Sequence, residues 1–102
     1  MKKVIDGKLY NTATAECLAE WSYSNPSDFN YVSEALYRTR KGQYFLFGEG
    51  GAMSKYAESC GENSWGGGSD IVPMDCDEAK AWVEEHGTAD DYINAFGEPE
   101  EA

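Results

Sequence analysis

The sequence predicts an α+β domain. An antiparallel β-sheet of three to five strands, built from hairpins in the N-terminal half, carries two to three short helices from the C-terminal half. Three observations predict it. An Asp-Gly pair sits between short apolar runs at residues 4–10, the strongest short-range hairpin signal. β-branched and aromatic residues crowd positions 31–47 on either side of a Lys41-Gly42 turn, as strands require. From Asp75 onward, apolar residues recur at helical spacing between capping residues.

Taken in order, Val4-Ile5-Asp6-Gly7-Lys8-Leu9-Tyr10 reads as a tight hairpin, after which Asn11 and Thr12 turn the chain. In residues 15–23, Cys17, Ala19, Trp21 and Tyr23 alternate with Leu18, Glu20, Ser22 and Ser24, which favours a strand. Ala15, Leu18 and Ala19 would also line a helix begun by Thr14, so both readings stand, with the strand preferred. Asn25-Pro26-Ser27-Asp28 is a turn. Residues 31–39 and 43–47 pair as a second hairpin, with Arg38, Arg40 and Lys41 making its tip basic. Gly48-Glu49-Gly50-Gly51 reads as a strand-to-helix turn whose glycines permit positive φ.

Met53, Tyr56, Ala57 and Cys60 fall at i, i+3, i+4 and i+7, one helix face, with Gly61 as its cap. Residues 62–69 form a glycine-rich loop holding Trp65. Ile71-Val72-Pro73 is a short extended piece that Pro73 confines to a sheet edge or strand end. Asp75 and Glu78 spell a capping box for a helix that buries Ala79, Trp82 and Val83 and stops at Gly87. Thr88 starts a last helix, with Ala89, Tyr92, Ile93 and Phe96 on one face, ended by Gly97. The domain spans residues 1–97, and residues 98–102 form an acidic tail expected to be disordered.

Composition limits the function classes. The chain has 102 residues, 41% of them apolar and 14% aromatic, enough for one core. No run approaches the ~20 apolar residues of a membrane span. The N-terminus lacks the apolar segment of a signal peptide. Cys17, Cys60 and Cys76 are odd in number and show no paired spacing. Free thiols in a cytoplasmic protein are the simplest expectation. The net charge is −11, and residues 56–102 hold thirteen carboxylates against a single lysine, Lys80. Such a field repels nucleic acid and anionic membranes and attracts basic protein surfaces. Direct nucleic-acid binding and membrane binding are therefore not expected.

The chemical motifs are thin. Gly48 and Gly50 fit two positions of a dinucleotide fingerprint, but Met53 stands where its third glycine belongs. No Lys-Ser or Lys-Thr follows Gly51, and Glu49 puts negative charge where a phosphate would lie. A nucleotide-sequestering module would use Gly48, Gly50 and Gly51 with the 62–69 loop and Arg38, Arg40 or Lys55, and it is the alternative reading. The lone histidine, His86, has no nucleophile or metal-ligand pattern near it. No catalytic residues, metal or cofactor are expected, and the chain reads as a non-enzyme. What stands out is surface. Asp75, Asp77, Glu78, Glu84, Glu85, Asp90 and Asp91 lie on two consecutive helices whose apolar faces must point inward. Outward rows of carboxylates can imitate the phosphates of DNA. Trp65 and Tyr23 are candidate aromatic anchors beside them. A solvated acidic face on a housekeeping domain is the bland alternative.

The segments KVIDGKLYNTATAE, LYRTRKGQYFLFGEGGAMSKYA and DIVPMDCDEAKAWVEEH together resemble a family of small acidic bacterial proteins of anaerobic gut bacteria, their phages and mobile elements. The resemblance covers most of the chain and brings no assigned catalytic or ligand residues. It implies a counter-defence setting, as in anti-CRISPR proteins that mimic DNA. The expected partner is then a basic nucleic-acid-binding surface, such as a CRISPR effector.

Overall fold

The computed structural model describes residues 1–25, 29–51, 54–61 and 64–102, with the backbone alone at 58–61 and 64–66. Strands β1 (Lys2–Ile5) and β2 (Lys8–Asn11) form the expected first hairpin. Asp6 and Gly7 both take positive φ, 52° and 75°, the geometry of a type I′ turn matched to strand twist. The side-chain oxygen of Asn11 accepts from the Ala13 amide at 3.0 Å and turns the chain into β3.

Strands β3 (Glu16–Tyr23), β4 (Val32–Arg38), β5 (Tyr44–Gly50) and β8 (Gly68–Met74) make an antiparallel sheet in the order β3-β4-β5-β8. The ambiguous 15–23 segment is thus a strand, with a register shift between Cys17 and Ala19. The β4–β5 hairpin turns through Gly42 at φ 85°. Pro73 sits in β8, the sheet edge, where its missing N–H leaves no inner ladder bond unmade.

Period-2 alternation divides the sheet into two cores. On one face Ala19, Leu36 and Leu46 pack against Ala79, Trp82 and Val83 of α1 (Cys76–His86). On the other, Phe45 and Ile71 pack under Tyr10 of the first hairpin, with Tyr37 stacked on Phe45 at 5.2 Å. Helix α2 (Ala89–Phe96) is short and lies beside α1 near β3. Arg38 ties α2 down by donating to the Ala95 carbonyl at 2.8 Å, one of the helix's open C-terminal acceptors.

Several expectations fail for identifiable reasons. The helix over 53–60 is absent: Glu58–Gly61 is strand β6, and Ser64–Gly66 pairs back on it as β7. That ribbon also replaces the loop read over 62–69, whose last residues belong to β8. Four apolar residues in eight cannot outweigh the costly helix nucleus when glycines flank the segment. Met53 and the turn residues 26–28 lie outside the described residues. In α2 the inward face is Tyr92, Ala95 and Phe96, while Ala89 and Ile93 are exposed. The eight-residue helix rests on the core by one narrow stripe. Residues 98–102 form neither helix nor strand.

Candidate functional site

The feature that sequence reading missed lies on the helix side of the sheet. Glu34 sits in β4 between Trp21 of β3 and Gly48 of β5, and its side chain is fully buried. Alternation sends it inward with Leu36. Three donors compensate its burial. Trp82 Nε1 donates to Oε1 at 3.1 Å, Lys55 Nζ lies 2.6 Å from Oε2, and the Tyr56 hydroxyl donates a short hydrogen bond to Oε2. Burial raises the carboxyl pKa. The bonds from Lys55, Tyr56 and Trp82 outweigh that and bring it below the ordinary value. Tyr56 moves the other way, as burial and then the Glu34 charge push its phenol well above the usual range.

The glycines upstream explain how Tyr56 gets there. A Cβ on Gly48 would lie 1.9 Å from Tyr56 Cζ, and one on Gly50 would lie 2.2 Å from Ser54 Oγ. Both glycines are strand residues of β5, so their use is close approach rather than a left-handed turn. Ser54 donates to the Gly51 carbonyl at 2.7 Å and accepts from the Tyr56 amide at 3.2 Å. That small turn swings Tyr56 over Gly48 and Lys55 over Glu34. The GEGG run is therefore a seat for a lock made by Ser54, Lys55 and Tyr56.

This arrangement bears on the nucleotide alternative. Gly50 and Gly51 do meet Gly67 and Gly68 across a cleft, but Glu49 also lines it. Arg38 is six residues along β4 from the Val32–Gly50 pair, about 20 Å away, and is bonded to Ala95 and to Glu16 at 3.2 Å. Arg40 lies in the turn beyond it. Lys55 is held by Glu34. The glycines and these cations are not gathered into one cradle.

The seven helical carboxylates divide into two groups. Asp75 and Glu78 form the expected capping box: the Glu78 amide donates to Asp75 Oδ1 at 2.7 Å and the Asp75 amide to Glu78 Oε1 at 3.1 Å. Asp91 does the same with Thr88 at the start of α2, at 3.0 and 3.1 Å. These three hold helix ends as well as adding charge. Asp77, Glu84 and Asp90 are exposed and enter no ion pair among the described residues. Glu85, also exposed, lies 3.9 Å from His86. Lys80 does not neutralise them in an ion pair, since its ammonium lies 5.8 Å over the Phe96 ring.

Tyr23 ends β3 and is 58% exposed. The Trp65 backbone is in β7, and its side chain falls outside the described residues. Cys17 and Cys76 are free and exposed, and burial followed by the Glu20 charge raises the Cys17 thiol pKa. No cluster among the described residues could hold a metal ion, and no described helix is long and apolar enough to cross a membrane. Glu34, the one buried carboxylate among the described residues, has every oxygen partnered, by Trp82 on one side and by Lys55 and Tyr56 on the other, and so joins strand, turn and helix. No protein-family model, curated protein or solved structure matches the chain.

Proposed function

We propose that this protein is a non-enzymatic inhibitor of phage or mobile-element origin. It acts in the bacterial cytoplasm and binds the basic nucleic-acid-binding surface of a host defence complex, such as a CRISPR effector. The observation that carries the reading is the uncompensated helical layer. Among the described residues Asp77, Glu84 and Asp90 face solvent without ion-pair partners, in a half-chain with thirteen carboxylates and one lysine. Among the described residues the ion pairs that use lysine or arginine are made by Lys3, Arg38 and Lys55, all from the first half. Like charges left adjacent oppose folding, so a basic counter-surface would recover energy the free protein forgoes. The capping boxes and the Glu34 lock supply a rigid frame that holds those charges in place.

The test is a pull-down by tagged protein from lysate containing reconstituted CRISPR effectors, repeated across a salt series. Recovery of a basic nucleic-acid-binding complex that falls as salt rises is expected. Absence of any such complex at low salt would overturn the reading.

A further inference from the structure

A cleft of about 460 Å³ opens where the ends of β3 and β4 meet the C-terminus of α1. Trp21, Tyr23 and Val32 line it from the sheet, Glu85 and His86 from the helix, and Lys55 from the turn that covers Glu34. We infer that this cleft is a socket for an arginine side chain of a basic protein partner. The inference rests on the acidic-interaction reading above and names the anchor within it.

Three features select a guanidinium. The first is charge. Glu85 stands at the rim, three-quarters exposed, while Glu34 beneath is fully buried and already partnered. Among the described residues the one lysine or arginine lining the cleft is Lys55, already bound to Glu34. Lys55 offsets Glu34, which leaves the exposed Glu85 carboxylate facing the cleft and disfavours phosphate or carboxylate ligands. The second is aromatic surface. Tyr23 is 58% exposed, and Trp21 is fixed by His86, whose ring centroid lies 4.1 Å from its own. Cations are attracted to such ring faces. The third is the pairing of the two. A planar guanidinium stacks on an aromatic ring while its edge donates to a carboxylate, whereas a compact, strongly hydrated ammonium does this poorly. Glu85 at its rim belongs to the helix that carries Asp77 and Glu84, so an arginine in the socket would lead the rest of a basic surface onto α1.

Binding of a hexa-arginine and a hexa-lysine peptide at physiological ionic strength tests this, read by tryptophan fluorescence and calorimetry. The two probes have equal charge, so the general acidic field attracts both. The socket predicts that the arginine peptide binds about fivefold to tenfold tighter. Tyr23→Ser and Glu85→Gln, both at exposed positions, should remove that preference and leave lysine-peptide affinity within about twofold. Trp21→Leu should do the same where its melting curve shows it folded. Equal affinity for both peptides would overturn the socket while the acidic reading survives. Binding of neither would overturn both. An arginine preference that survives Tyr23→Ser and Glu85→Gln would overturn the assignment to this cleft.

Discussion

Replacing Gly48 by alanine places a methyl group 1.9 Å from Tyr56 Cζ and 2.0 Å from its hydroxyl, far inside contact distance. The ring must leave, and the hydroxyl must leave Glu34 with it. A hydrogen bond to a charged acceptor is worth about 1.5–3 kcal/mol, and losing ring burial costs about as much again. Against this, alanine is favoured over glycine in a strand by roughly 0.5–1 kcal/mol. The expected net destabilisation is about 3 kcal/mol, read as a lower urea midpoint or as a fall in Tm of about 12–20 °C for a domain of this size. The decisive version is a double-mutant cycle. With Tyr56→Ala already present nothing occupies the space over Gly48, so Gly48→Ala should be neutral or stabilising by about 0.5 kcal/mol. An equal loss in both backgrounds would refute the claim that Gly48 exists to seat Tyr56.

Glu34→Gln should lower stability by about 2 kcal/mol at neutral pH, discounted for the exposed ammonium of Lys55. Because the folded pKa of Glu34 lies below its ordinary value of 4.5, its contribution is full above that value and disappears as pH falls through the folded pKa. The stability gap between wild type and Glu34→Gln, followed by urea titration at successive pH values, should therefore close on the acid side only. Tyr56 has a raised pKa, so its contribution is full below the ordinary phenol value of 10 and is lost as pH rises towards the folded one; Tyr56→Phe should show a flatter alkaline limb in the same titrations. Thr88→Ala should cost about 1 kcal/mol through loss of the α2 cap, measured by thermal melting, with little change in binding of basic partners.

Local chemistry made most of the fold legible. Asp6-Gly7, Lys41-Gly42, Pro73, the Asp75 box and the Thr88 cap each dictate a backbone geometry from a few neighbouring residues, and each is found where the sequence places it. The misreadings share a cause. Residues 53–60 carry apolar residues at helical intervals, yet Tyr56 points inward because Gly48, eight residues earlier, leaves room for it. That relation is long-range, and no local period reports it. Glu34 was hidden for the same reason: three donors from Lys55, Tyr56 and Trp82 converge on it from distant parts of the chain. Its one sequence signal was a carboxylate in step with Val32 and Leu36 on a strand, where alternation demands an inward residue. The acidic helices were legible as surface, but the use of Asp91 as a reciprocal cap appears only with the hydrogen bonds in hand.

We propose that the uncompensated acidic layer occupies a site meant for nucleic acid. It is tested most directly by competition for a purified CRISPR effector between this protein and the effector's DNA duplex, with wild type beside an Asp77→Asn, Glu84→Gln, Asp90→Asn variant that leaves both capping boxes intact. Wild type is expected to displace the duplex at low salt and less well as salt is added, and the variant, melting as wild type does, to displace it at least about tenfold less well. A variant that competes as well as wild type would contradict it, because the acidic layer would then contribute only solubility.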